Sequence, residues 1–312
     1  MSVLVTGAGG FVGSAVVRRL VNGPEHVVAL LSPAGSMERL EELPADGSWS
    51  IERGDVSDRD ELRAVLDRVR PRAIVHVALS AAAYTEVHPL DDDAIVAGPL
   101  STLFEALGPD SRFVYAGSAW VLRAGDRLDE SAPVEPLKPY ARNKARADEL
   151  IPVLAERAGV PWINLRLFNM FGRYEKPTRL LPTLVSRLAR GEVAELTHGE
   201  QVRDFNDVDV MAGAFADALA APESACGALY HVGSGRATSV RELALDVAEA
   251  LGRPELVRFG EAETQDEDLP CLVADPSLAE RELGWQPDLD LEERVRGAVQ
   301  WWLARLEAEV RR

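Results

Sequence analysis

Short apolar runs alternate with amphipathic stretches through the first half of the chain. Val3–Thr6, Val27–Leu31, Ser50–Arg53, Ala73–Val77, Arg112–Ala116 and Trp162–Leu167 read as strands. Phe11–Val21, Asp58–Arg68, Asp91–Leu107 and Tyr140–Ala158 read as helices between them. This alternation predicts an α/β fold, a Rossmann-like doubly wound parallel sheet with helices on both faces and ligands at the carboxyl ends of its strands. Pro152 falls inside the fourth helix and removes one backbone hydrogen bond, so a kink or a split is expected there. The run Asp91-Asp92-Asp93 sits where a helix begins, and dipole complementarity accounts for it without a metal.

After Asn169 the pattern changes. Gly172, Pro177, Pro182, Gly191 and Gly199 punctuate the chain, strands become short, and helices are predicted at Leu180–Ala189, Val240–Leu251, Leu278–Leu283 and Leu291–Glu307. The expected division is a dinucleotide-binding Rossmann domain over 1–168 and a smaller α/β substrate-binding lobe over 169–312, with 204–234 partly returning to the first.

Composition and charge narrow the function. With 46% apolar and 27% charged residues the chain is globular rather than disordered. A net charge of −17 repels phosphate, so neither nucleic acid nor an anionic membrane is an expected partner. An anionic ligand would require local arginine and lysine. Cys226 and Cys271 stand in unrelated contexts and read as free thiols. The chain leads at once into Val3-Leu4-Val5, with no apparent secretory leader, and no apolar run approaches ~18 residues, so a cytoplasmic protein is expected.

Thr6-Gly7-Ala8-Gly9-Gly10-Phe11-Val12-Gly13 follows a strand and opens a helix. Gly7 permits a tight turn, Gly10 lets the backbone approach a pyrophosphate, and Gly13 allows close helix–strand packing, while the helix start offers N–H groups to phosphate. At the end of the second strand the acidic residue that would bind a ribose 2′-hydroxyl is absent. Leu31-Ser32-Pro33 stands there, with Arg39 nearby, which favours NADP(H) over NAD(H). Gly54-Asp55-Val56 closes the third strand, where Asp55 either accepts from adenine or caps the next helix.

Tyr140 and Lys144 lie four apart on one helix face. A phenol ionises near ~10, too high for proton exchange at neutral pH, and an adjacent ammonium lowers that value. Ser118 ends the fifth strand, where its hydroxyl can bond a substrate oxygen.

Together, Thr6–Gly13, Gly54-Asp55, Val75-His76-Val77-Ala78, Ser118 and Tyr140/Lys144 resemble the extended short-chain dehydrogenase/reductase family. The similarity continues through Leu165–Gly172, Gln201–Asp209, Tyr230–Gly235 and Leu283–Pro287, and is nearest the nucleotide-sugar epimerases and reductases. The resemblance implies that Ser118, Tyr140 and Lys144 are catalytic. It places Gly7, Gly10, Phe11, Val12, Gly13, Ser32, Asp55, Val56, Ala78 and Lys144 around the cofactor, and Ser118, Asn169 and Arg203 around the substrate. Asn169 and Arg203 would hold a diphosphate, with Arg173, Lys176 and Arg179 adding positive charge. The other reading of Arg203 is a salt bridge with Asp204 or Asp207.

Four departures shape the functional expectation. The acidic residue after the second strand is missing, and Ile95 replaces an asparagine. Thr264-Gln265-Asp266 lacks a second basic residue, and Ala119-Trp120 replaces the acidic pair of sugar 4,6-dehydratases, which sets dehydration aside. His26, His76, His88, His198 and His231 are scattered without ligand spacing, so no metal site is expected, and His76 reads as a core histidine. Trp301-Trp302 reads as packing. The expected enzyme is an NAD(P)-dependent oxidoreductase on a nucleoside-diphosphate sugar, reducing a 4-keto group. The alternatives are a 4-epimerase that retains NAD and a non-catalytic dinucleotide sensor. A homodimer through Asp91–Leu107 and Tyr140–Ala158 is the partner that the resemblance implies.

Overall fold

The computed structural model describes residues 2–79, 93–262 and 269–310. In chain order its first part comprises β1 (Ser2–Thr6), α1 (Phe11–Leu20), β2 (His26–Leu31), β3 (Trp49–Arg53), α2 (Arg59–Val69), β4 (Ala73–His76), α3 (Gly98–Glu105), β5 (Arg112–Ser118), β6 (Gly125–Leu128), α4 (Pro139–Ala158) and β7 (Trp162–Leu167). There follow β8 (Met170–Phe171), α5 (Leu180–Ala189), β9 (Ala194–Leu196), β10 (Val202–Arg203), β11 (Asn206–Asp207), α6 (Val208–Ala220), β12 (Ala228–Val232), β13 (Thr238–Ser239), α7 (Val240–Ala250), β14 (Val257–Phe259), β15 (Cys271–Ala274), α8 (Ser277–Leu283) and α9 (Leu291–Val310).

Seven strands form one parallel sheet in the order β12-β7-β5-β4-β1-β2-β3. The six strands read from the first half are all present, and β12 joins the edge beside β7 with Tyr230 opposite Leu165. Strand order reverses between β1 and β4, where such sheets open a crevice at their carboxyl ends. Alternate residues of β1 explain the two layers. Val3 and Val5 enter the core under α1 and α6, and Leu4 enters the core under α2, α3 and α4.

A separate core joins α5, α7 and α9 through Leu184, Val247, Val299 and Trp302. A small cluster of Ala119, Val121, Leu122, Phe168, Leu272 and Ala274 lies behind the end of β5. It is covered by the four-stranded sheet β13-β10-β15-β6. No helix among the described residues is long and apolar enough to cross a membrane.

Two helices differ from expectation. The described part of the predicted Asp91–Leu107 helix is a π-turn at Asp93–Ala97 followed by α3. Pro99 has no N–H for the carbonyl of Ile95, so the regular ladder cannot run through. Asp91, Asp92, His88 and Thr264-Gln265-Asp266 lie outside the described residues. α4 continues unbroken through Pro152 and is closed by Gly159 at φ 66°. Pro152 itself is exposed. The helix α6 escaped the periodicity reading because Val208–Ala220 is apolar on nearly every side.

Candidate active site

The glycine-rich turn joins β1 to α1 at the carboxyl edge of the sheet. Gly7 adopts φ +68°, and a side chain there would place Cβ 2.8 Å from Cα and N of Ala78. At Gly13 a Cβ would lie 2.1 Å from the Gly7 carbonyl, so helix and turn meet at backbone contact. Gly10 donates to the Gly7 carbonyl at 2.9 Å and begins α1 with no side-chain cap. The N–H groups of Phe11, Val12 and Gly13 therefore have no acceptor within the helix, which makes the turn a cradle for an anion. These residues fit a dinucleotide pyrophosphate.

Thr6 fixes the neighbouring wall. Its Oγ1 accepts from the N–H groups of Val77 and Ala78 at 3.2 Å each, and stands 2.7 Å from Nδ1 of His76. The hydroxyl proton therefore goes to Nδ1, and His76 carries its own proton on Nε2. Burial and the Lys144 charge push His76 down to about 3, so it is neutral. It is a core histidine, as expected.

At the end of β2, Ser32 is exposed, and Arg53 Nη1 donates to the carbonyls of Ser32, Pro33 and Gly35 at 3.2, 3.1 and 3.1 Å. Arg39 does not serve this corner. It donates to the carbonyls of Gly9 at 3.0 Å and Tyr174 at 3.2 Å. Asp55 Oδ1 accepts from the backbone and hydroxyl of Ser57 at 2.9 and 2.6 Å. The helix cap is Asp58, which accepts from Asp60 and Glu61, so the capping role weighed for Asp55 belongs to its neighbour. Val56 packs half-buried against the core of α2.

Pro139 starts α4 and sets the half-buried Tyr140 in its first turn, with Lys144 one turn further on. Lys144 is only 3% exposed. Its Nζ donates to the Ala116 carbonyl at 2.6 Å and lies 4.6 Å from the ring of Tyr115 and 5.9 Å from that of Tyr140. Burial lowers it to about 8, and the Asp148 carboxylate acts in the opposite direction. Ser118 is buried at the end of β5, and its Oγ accepts from the Trp120 N–H at 3.3 Å. The turn, Ala78, Lys144 and Ser118 thus share one edge of the sheet.

The side-chain Oδ1 of Asn169 is buried without a hydrogen-bond partner. Arg203 is buried, donates to the Val202 carbonyl at 2.8 Å, and places its guanidinium 5.5 Å from the Trp120 ring. Asp204 and Asp207, the next two acidic residues in sequence, are held by other donors. Asp204 accepts from Asn206, from the N–H and hydroxyl of Ser234, and from the N–H groups of Gly235 and Ala274. Asp207 caps α6.

The expected basic cluster is not one patch. Arg173 pairs with Asp209 at 2.8 Å, and Arg18 holds the same carboxylate at 3.0 Å, so its charge serves the start of α6. Glu175 intervenes before Arg179, and its buried carboxyl is pushed up to about 8 by desolvation. Sequence reasoning also missed the buried pair of Asp148 and Arg166. The spacing of Lys144 and Asp148, one helical turn, was its visible signal.

Residues 3–233 match the family described as NAD dependent epimerase/dehydratase. Over 97% of this chain and 93% of the relative, the sequence is 26% identical to a dTDP-glucose 4,6-dehydratase of Salmonella typhimurium. A UDP-glucose 4-epimerase of Thermus thermophilus, solved in complex with NAD, aligns with TM-score 0.83 and 27% identity over 97% of this chain and 99% of its own. A UDP-glucose 4-epimerase of Thermotoga maritima, solved with UDP-glucose, shares the fold at TM-score 0.86 and 23% identity, covering 98% of this chain and 100% of that one. With its glycine cradle and its tyrosine–lysine helix, the chain belongs to the NAD dependent epimerase/dehydratase family and is an enzyme of the extended short-chain dehydrogenase/reductase type.

Proposed function

We propose that the protein transfers hydride at C4 of a nucleoside-diphosphate sugar, with Tyr140 as acid and base, and that its net reaction is reduction of a 4-keto group. One observation carries this reading. The Lys144 ammonium is buried between the Ala116 carbonyl and the rings of Tyr115 and Tyr140, on the sheet edge where Ser118 ends β5. A bound nicotinamide dinucleotide supplies or receives the hydride. Ser118 donates to the ketone oxygen, and Tyr140 gives that oxygen its proton as the alcohol forms. Lys144 stabilises the phenolate left behind. In the oxidising direction the phenolate takes the proton back. Arg203 and Asn169 hold the diphosphate in this scheme, which sets the sugar between them and Ser118.

Dehydration would need an acid and a base beside the neighbouring carbons, and Ala119 and Trp120 supply neither. The 4-epimerase remains the second reading, favoured by the NAD held in the Thermus relative. For the reductase, NADP(H) is our preferred cofactor, because no carboxylate guards Ser32. A sensor without turnover is the weaker reading, since Tyr140 and Lys144 are both kept. We also take the working form to be a cytoplasmic homodimer through α3 and α4, which lie side by side with Val153 exposed on α4.

The test is to denature purified protein and identify released nucleotide, then to assay 4-keto nucleotide sugars with NADPH and NADH. An empty site and NADPH-dependent reduction, abolished by Tyr140→Phe, support the proposal. Bound NAD near one per chain with 4-epimerisation replaces it by the second reading. Undiminished turnover in Tyr140→Phe removes the role given to the phenol.

A further inference from the structure

Beneath the site lies a buried charge that the reaction above does not use. Asp148 follows Lys144 by one turn on the same face of α4. Its side chain is 9% exposed, and that of Arg166 is 4% exposed. Arg166 grips one carboxylate oxygen with two nitrogens, Nε at 3.0 Å and Nη2 at 2.8 Å. Asn164 donates to the other at 2.7 Å. Both partners stand on β7 two residues apart, hence on one face of the strand. Asn164 lies in the space left by a missing side chain, since a Cβ on Gly117 would lie 2.3 Å from its Oδ1. Gly117 directly precedes Ser118. Behind Arg166, His231 Nε2 stands 3.5 Å from Nη1, and its Nδ1 lies 2.8 Å from the Leu128 carbonyl.

We propose that Asp148 is a positioning residue for the charge on Lys144: its carboxylate, held by Arg166 and Asn164, keeps Lys144 an ammonium beneath the Tyr140 phenol. The inference rests on the reading of Tyr140 and Lys144 as the acid–base pair. The titratable groups around Lys144 on the packed elements, among the described side chains, supply no other negative charge. His76 on β4 is neutral, and burial together with Asp148 raises Tyr115 on β5 so that it stays a phenol. Glu105 on α3 is turned to Arg59 and Arg63 at the surface. Arg166 on β7 adds positive charge. A lysine in this setting loses its proton readily, and burial already lowers Lys144 while Asp148 opposes the loss.

Ultraviolet difference titration of the protein without substrate tests this, with Tyr140→Phe subtracted so that only the Tyr140 phenolate is read. Tyr140 and Lys144 titrate as a coupled pair, so loss of the Lys144 charge raises the Tyr140 phenol. In Asp148→Asn, which keeps size and hydrogen bonding, the phenolate is expected at a pH higher by about one unit or more. Asp148→Glu is expected to restore the native midpoint, which a purely packing role for Asp148 would not produce. An unmoved midpoint in folded Asp148→Asn overturns the proposal. Should that variant not fold, Asp148→Ser removes the charge with a smaller polar side chain. A shift of the same sign supports the proposal there, and no shift overturns it. Because the titration needs no turnover, inactivity toward every nucleotide sugar would count against the proposed reaction and leave this result standing.

Discussion

The Thr6 hydroxyl meets Nδ1 of His76 at 2.7 Å across the adjacent strands β1 and β4, and the same oxygen receives the N–H groups of Val77 and Ala78. One side chain thereby sets the wall against which the Gly7 turn closes. Thr6→Val keeps the shape and removes all three bonds. It should cost about 2–3 kcal/mol in urea unfolding, because the groups left behind are buried. Dinucleotide affinity should fall about tenfold by calorimetric titration, an effect of order 1.4 kcal/mol. Unchanged affinity beside reduced stability would detach this wall from the cofactor site.

Lys144 gives a stability signature with a definite sign. Its folded value of about 8 lies below the ordinary ~10.4, so below pH 8 the folded state must hold a proton that burial disfavours. That penalty is fully present below pH 8 and is relieved as pH rises toward ~10.4. The stability of Lys144→Met relative to the native protein should therefore decline by about 3 kcal/mol between pH 7 and ~10.4. Chemical unfolding at several pH values checks this. A difference flat in pH would mean that the ammonium is not buried as described.

His231 works at the other end of the scale. It is held down to about 4, chiefly by burial. The unfolded chain binds its proton near ~6.5 and the folded one only at lower pH, so stability is lost between those values as pH falls. His231→Gln should remove as much as about 3 kcal/mol of that acid sensitivity. The acid-unfolding curves of the two proteins would then converge below pH 5, whereas parallel curves would contradict the assignment.

Arg203→Lys keeps the charge and loses the planar fork. The nucleotide-sugar KM should rise roughly 10–100-fold, and kcat should change only a few-fold. Dinucleotide affinity should be untouched. Steady-state kinetics separates these, and a loss confined to kcat would move Arg203 from anchoring to the chemistry.

The sheet was legible because its strands are compact apolar runs and the periodicity of 2 puts Val3 and Val5 on one face and Leu4 on the other. The glycine turn was legible because only a close approach such as Gly13 to the Gly7 carbonyl demands glycine there. Less could be read where strands are two or three residues long, as at β8, β10 and β11, since no period can be counted over such a span. Charge was the other blind spot. Arg39 and Arg173 looked like candidates for phosphate, yet Arg39 donates to backbone carbonyls and Arg173 pairs with Asp209. Composition shows that a cation is present but not which acceptor it meets after folding.

Asp204 carries a consequence for how the cleft can diversify. Five bonds from Asn206, Ser234, Gly235 and Ala274 rivet the backbone on which Arg203 stands. The aim of that guanidinium is thus inherited from a neighbour that faces away from solvent, and the surrounding loops can exchange residues without retraining the anchor.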